Sequence, residues 1–283
     1  MTRDKVTIPY LYELRSKGEI ISWLTCYDFP SAQLEEQAEI EMILIGDSAS
    51  MVVYGNDSTL PITMDTLVNH ARAVRKGAPT AFVIGDMPFL SYQVSVEDAV
   101  RNAGRFMKEA GCDAIKLEGG VRIADKVKAI VEAGIPVVGH IGLTPQSSSM
   151  LGGFKAQGKD AETARKLVED AQALEKAGAF GILLESVPTK VTHVIKQNVS
   201  CLIFGIGAGP GCDGQLLIVH DVLGLFQAFT PKFVRQYANL SPIILDAFKK
   251  YKDEVRGKQF PAKEHEFFIK SEELKKLEEG LKA

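Results

Sequence analysis

Cysteine is scarce in this chain. Four occur in 283 residues, and Cys26, Cys112, Cys201 and Cys212 have no metal-ligand spacing and are too few to staple a chain of this length. A disulfide framework is excluded, and a reducing, cytoplasmic compartment is the expectation. No stretch approaches the eighteen or so uninterrupted apolar residues of a membrane span. Residues 1–17 mix Arg3, Asp4, Lys5, Glu13 and Arg15 with apolar side chains and lack a signal-peptide core. Nor does one sign of charge dominate: 33 Lys and Arg stand against 36 Asp and Glu, for a net charge of −3. That balance removes the electrostatic case for nucleic acid or an acidic membrane as partner.

What the chain has is apolar residues, 46% of the total, enough for one large core or two modest ones. It also has a recurring unit. In Ala114-Ile115-Lys116-Leu117-Glu118-Gly119-Gly120, strand alternation puts Ile115 and Leu117 on one face and Lys116 and Glu118 on the other. The two glycines end the strand, and residues 121–133 continue with helical spacing. The same apolar strand with a polar end recurs at 20–26, 42–46, 81–85, 135–139, 181–184, 201–206 and 215–219. Helical patterns separate nearly all of these, among them 10–17, 30–38, 64–76, 96–110, 160–177 and 188–197. Residues 110–118 and 177–185 echo each other as Ala-Gly-x-x-x-Ile-x-Leu-Glu, as equivalent units of one barrel would. Eight βα units over about 200 residues predict a closed (β/α)8 TIM barrel, with an open doubly wound sheet as the alternative. From Pro231 onward the chain is helical and increasingly charged. The reading is therefore a single barrel domain over 1–283, with 231–283 as a helical appendage of additional C-terminal helices.

Seven of the eight strand ends carry ionisable side chains: Asp28, Asp47, Asp86, Lys116 with Glu118, His140, Glu185, and His220 with Asp221. On the side where barrels bind substrates, that many amount to one convergent site. Asp47, on the face of Ile43 and Ile45 by parity, joins Asp86 and Glu118 in offering hard oxygen ligands only, which suits Mg²⁺. Each carboxylate alone also fits a helix cap. Lys116 either orients an anionic substrate or is an ion-pair partner of Glu118. His140 either donates to a substrate oxygen or is an ordinary satisfied histidine. Glu185 follows apolar residues, and desolvation there would raise its pKa toward a base's useful range. The glycines at 205–211 are no dinucleotide fingerprint, because Pro210 occupies the third glycine's place and a strand follows. They fit an anion cradle or a close backbone approach. Residues 144–158, rich in serine and glycine, read as a mobile loop over the strand ends.

A cation, an ammonium and a carboxylate base around one pocket point to proton removal beside a carbonyl. Such a carbon is a weaker acid than a carboxylic acid by roughly fifteen pKa units, about 20 kcal/mol, so the growing enolate charge must be held by its surroundings. A 2-oxo acid matches. The segments Gly46-Asp47-Ser48, Asp57-Ser58-Thr59-Leu60-Pro61, Arg75-Lys76-Gly77-Ala78-Pro79, Lys116-Leu117-Glu118-Gly119-Gly120, Gly139-His140-Ile141-Gly142-Leu143-Thr144-Pro145-Gln146-Ser147 and Gly205-Ile206-Gly207-Ala208-Gly209 closely resemble the 3-methyl-2-oxobutanoate (ketopantoate) hydroxymethyltransferase family. Asp213-Gly214-Gln215 and Pro231-Lys232-Phe233 continue the match, so it covers about residues 20–240.

The resemblance implies a Mg²⁺-dependent, aldol-type transfer of a one-carbon unit from 5,10-methylenetetrahydrofolate to 3-methyl-2-oxobutanoate, giving 2-dehydropantoate in pantothenate biosynthesis. It implies that Asp47, Asp86 and Glu118 form the metal site. Ser48, Lys116 and His140 would hold the oxo acid beside Asp47 and Asp86, and Glu185 would take the C3 proton. It also implies a cytoplasmic homo-oligomer, typically a decamer built partly through carboxyl-terminal helices. Asn56 stands where the family often has His, and Leu202 where it usually has Pro. Two rivals are a Mg²⁺ barrel that cleaves or rearranges C–C or C–P bonds with a reactive cysteine, and a catalytically silent binding barrel.

Overall fold

A computed structural model describes residues 3–148, 153 and 155–282. Among these, eight strands run β1 Ile21–Thr25, β2 Met42–Ile45, β3 Phe82–Asp86, β4 Ala114–Glu118, β5 Val137–Gly142, β6 Gly181–Glu185, β7 Leu202–Ile206 and β8 Gly214–Leu217. They pair in parallel in chain order, and β8 closes on β1. The helices are α1 Ile8–Lys17, α2 Phe29–Gln37, α3 Ala49–Val52, α4 Met64–Gly77, α5 Val96–Ala110, α6 Ala124–Glu132, α7 Ala161–Lys176, α8 Thr189–Asn198 and α9 Val219–Val222, with α10 Leu240–Arg256 and α11 Ser271–Gly280 at the carboxyl end. The predicted (β/α)8 TIM barrel is the fold, and the doubly wound alternative falls away.

Strand alternation divides the apolar residues into two cores. Ile43, Ile45, Val83, Ile115, Leu117, Ile182 and Leu184 face outward and pack with helical residues such as Leu67, Ala71, Val74 and Phe106. Trp23, Met42, Leu44, Phe82, Ile84, Val138, Leu183 and Phe204 fill the lumen, where Trp23 and Phe204 meet edge to face at 5.1 Å. Leu11 and Leu14 of α1 join this inner core. Arg15 donates to the carbonyl of Ser200 and Tyr12 to that of Phe180, just ahead of β7 and β6. The amino-terminal helix thus stoppers the lower end of the barrel, and only the upper end is left for a ligand.

Helix starts are set by side-chain caps: Thr63 accepts from Thr66 N, Ser95 from Asp98 N and Asp160 from Thr163 N. Two differences from the sequence reading are local. β5 extends through Gly142, so His140 lies within a strand. β8 stops at Leu217, and α9 occupies part of what reads as strand. Residues 149–152 and 154 of the expected loop lie outside the described residues.

The chain divides into two compact units, Met1–Gln236 and Tyr237–Ala283. The second carries α10 and α11, and Ile243, Leu245, Phe248 and Tyr251 along α10 are exposed.

Candidate active site

Register sets the site. Asp86 of β3 pairs with Lys116 of β4, and Glu118 pairs with His140 of β5. Neighbours in register point the same way, so these four side chains crown the lumen above its apolar filling. Asp86, Lys116, Glu118 and His140 are buried, each at most 5% exposed. Together with Asp47, Ser48 and Glu185 they line a cavity of about 770 Å³.

Within it the charged groups touch in sequence. Lys116 Nζ lies 2.7 Å from Asp86 Oδ1 and 3.3 Å from His140 Nδ1. His140 Nε2 lies 3.2 Å from Glu185 Oε2. The backbone N–H of Asp47 donates to Asp86 Oδ2 at 3.0 Å. An ammonium next to Nδ1 can only donate, so Nδ1 is assigned the lone pair and Nε2–H faces Glu185. That assignment leaves Glu118 Oε1, 3.4 Å from Nδ1, with no donor, and it is an unpartnered buried atom.

Burial dominates the electrostatics. It lifts the Asp47 carboxyl well above the carboxylate range, helped by the charges of Asp86 and Glu118. It pushes Glu118 up to about 8, with Asp86 adding to the rise and Lys116 opposing it. It also raises Glu185, against which the hydrogen bond from His140 works. For His140, burial and then Lys116 lower the pKa, so the ring is neutral near pH 7. Burial opposes the Lys116 charge too, but Asp86, Glu118 and Asp47 outweigh it and hold the ammonium protonated. The crown therefore holds one cation against several carboxyls.

That imbalance is the test of whether a divalent cation fits. Mg²⁺ takes hard oxygens, usually one or two carboxylates with water and substrate completing its octahedron. The mouth provides such oxygens, one of them orphaned, in a place that strains to hold negative charge, so the residues fit. As the side chains stand, no three of the described His, Cys, Asp or Glu residues form a ready ligand set, and the Lys116 ammonium occupies Asp86 Oδ1.

Several strand-end residues resolve differently from their first reading. Asp47 escapes its parity because β2 ends at Ile45, and the following turn sends it into the mouth rather than toward the helices. Lys116 pairs with Asp86, not with Glu118. Asp28 caps α2, accepting from Ser31 N at 2.8 Å, and His220 packs beside Tyr27; neither lines the cavity, whereas Asp221 does. Ser48 is held by Tyr27, Oη to Oγ 2.8 Å. Gln146, quoted above only within a motif, is buried in the site and touches two of its carboxylates. The glycine turn after β7 is a close-approach device: Gly207 has φ +69° and a Cβ there would meet the Phe233 ring at 2.6 Å.

Residues 5–263 match the family described as ketopantoate hydroxymethyltransferase. The chain is 54% identical over 273 residues to the 3-methyl-2-oxobutanoate hydroxymethyltransferase of Syntrophomonas wolfei, covering 96% of this chain and 99% of that one. It is 54% identical over 275 residues to the enzyme of the same name from Alkaliphilus metalliredigens, covering 96% and 97%. Among solved structures, a phosphonopyruvate hydrolase in complex with oxalate and Mg⁺⁺ superposes with a TM-score of 0.60 at 14% identity, covering 98% of this chain and 96% of that one. A 2,3-dimethylmalate lyase of the PEP mutase/isocitrate lyase superfamily gives 0.60 at 14%, covering 99% and 98%. At such identity these two likenesses speak for the fold.

Proposed function

The chain belongs to the ketopantoate hydroxymethyltransferase family, and from that premise we propose that it transfers a one-carbon unit from 5,10-methylenetetrahydrofolate to 3-methyl-2-oxobutanoate. The product is 2-dehydropantoate, on the route to pantothenate. The observation that carries this reading is the row Asp86–Lys116–His140–Glu185, buried as far as His140 and partly exposed at Glu185, with contacts of 2.7, 3.3 and 3.2 Å, beside Asp47 and Glu118. It offers anion binding at one end and a base at the other.

Asp47 and Asp86, with Glu118 beside them, are the residues that would hold Mg²⁺. When bound, the ion supplies positive charge at the keto oxygen, which brings the C3 proton within a carboxylate's reach. Lys116, kept charged by its carboxylate neighbours, attracts the oxo acid's carboxylate. Ser48, fixed by Tyr27, donates to a substrate oxygen, and His140 lines the oxo-acid pocket with its Nε2–H facing Glu185. Glu185, in its ionised form, accepts the proton from C3. Water at the methylene carbon breaks both of its C–N bonds and releases tetrahydrofolate, leaving a formaldehyde-level carbon; the electron pair of the C3–H bond forms the new C–C bond to it, and its oxygen takes the proton from Glu185 to become the hydroxyl. A cavity of about 770 Å³ far exceeds what the small oxo acid fills, and Phe226, Phe229 and Phe233 along its rim suit a flat aromatic co-substrate.

The cysteine-dependent rival has little to work with. All four thiols are buried, and burial pushes Cys112, Cys201 and Cys212 up to about 12, leaving almost no thiolate. We place the protein in the cytoplasm as a homo-oligomer, a reading supported by the family and by the exposed apolar side chains of α10. No helix among the described residues is long and apolar enough to cross a membrane. The direct test incubates the chain with 3-methyl-2-oxobutanoate, Mg²⁺ and methylene-labelled 5,10-methylenetetrahydrofolate. Labelled 2-dehydropantoate is expected by mass spectrometry, and its absence with every divalent metal tried would overturn the reading.

A further inference from the structure

Gln146 sits in the first turn after β5 and is 6% exposed. Its carboxamide uses every hydrogen-bonding position it has. Nε2 donates to Asp47 Oδ2 at 3.0 Å and to the Met87 carbonyl at 3.0 Å. Oε1 accepts from Tyr92 Oη at 2.8 Å and from Gln93 Nε2 at 3.2 Å. Flipping the amide would set its oxygen against two acceptors, so the orientation is fixed by its surroundings. The backbone N–H of the same residue donates to Glu118 Oε2 at 3.0 Å. One residue thus holds one oxygen of each of two carboxylates that come from β4 and from the turn after β2.

We propose that Gln146 is the positioning residue of the Asp47–Glu118 carboxylate pair, engaging Asp47 Oδ2 and Glu118 Oε2 so that Asp47 Oδ1 and Glu118 Oε1 are the oxygens left for a divalent cation. This rests on the reading of Asp47, Asp86 and Glu118 as the residues that would hold Mg²⁺. The orphaned Glu118 Oε1 is what such a device produces: a buried oxygen kept without a donor because its twin is tied down. Side chains that orient metal ligands commonly change metal affinity by about 10- to 100-fold when removed.

The test measures Mn²⁺ binding to the full-length, metal-stripped protein by calorimetry or by the paramagnetic resonance of free ion, alongside C3 exchange of 3-methyl-2-oxobutanoate as metal concentration is raised to saturation. Gln146→Leu removes the donor to Asp47 at similar volume, and Gln146→Ala removes it together with the bulk. Expected are a rise in the Mn²⁺ dissociation constant of about tenfold or more and a matching rise in the metal concentration that half-saturates exchange. Tyr92→Phe keeps the ring and removes the hydroxyl that holds both Gln146 Oε1 and the backbone of Glu118; it should weaken Mn²⁺ binding by a smaller factor, and it carries the test if the Gln146 variants do not fold. Unchanged Mn²⁺ affinity in the folded variants, with wild type binding Mn²⁺, would overturn the inference alone. A wild-type protein that binds no divalent metal would overturn the underlying reading and the inference with it.

Discussion

Glu185 is asked to act as a base in surroundings that penalise its charge. Burial raises its pKa and the His140 hydrogen bond pulls it back. The base works ionised, so the C3 exchange rate should fall on the acid side with a midpoint above the ordinary 4.5 of a glutamate. His140→Phe removes the stabilising hydrogen bond and should move that midpoint to higher pH; a pH–rate profile of exchange reads both. Glu35, on α2, is a second buried carboxyl, pushed up to about 8 by burial, and neither of its oxygens has a hydrogen-bond partner among the described residues. Its folded pKa lies above its unfolded value, so its stability contribution is full below about pH 4.5 and is lost as pH rises toward 8. Glu35→Gln should therefore raise the melting temperature at pH 8 to 9, by the equivalent of a few kcal/mol at most, and change it little at pH 5, as thermal denaturation across pH would record.

At the scale of the element, the end of β5 is where local geometry and chemistry meet. Gly142 pairs with Glu185 in register and has φ +96°, and a Cβ there would clash with the Glu185 carbonyl. Gly142→Ala should cost stability on the order of 1–3 kcal/mol and move the base, so that exchange falls at least tenfold while Mn²⁺ still binds. Much of this crown was legible beforehand. The period-two alternation of β4 gave Lys116 and Glu118 a shared face, and the apolar strand ahead of Glu185 marked a desolvated carboxyl. Where strands end, alternation stops informing: Asp47 turned inward against its parity, and Asp28 took the cap position on α2, a role its type fills equally well. Four-residue helices such as α3 and α9 are too short to leave a 3.6-residue period. Gln146 carried no charge signal at all, and only the fold brings its loop between Asp47 and Glu118.

The barrel unit stacks a polar crown on an apolar lumen closed below by α1. Folding that crown buries Asp47, Asp86 and Glu118 around the ammonium of Lys116, with Glu185 partly exposed at its edge, at an electrostatic cost that a divalent cation would offset. Mg²⁺ should thus raise the melting temperature of metal-stripped protein in a concentration-dependent way, by about 2.7 kcal/mol at roughly 100 times its dissociation constant. Asp47→Asn should diminish that gain while stabilising the metal-free state; calorimetry with and without Mg²⁺ checks both. The most direct measurement is deuterium incorporation at C3 of 3-methyl-2-oxobutanoate in D₂O, followed by proton NMR with Mg²⁺ and no folate. The account predicts exchange by the wild-type protein and a loss of about 10²- to 10⁴-fold in Glu185→Gln with Mn²⁺ binding retained. Exchange at the wild-type rate in Glu185→Gln, or none in the wild type with any divalent metal, would contradict it.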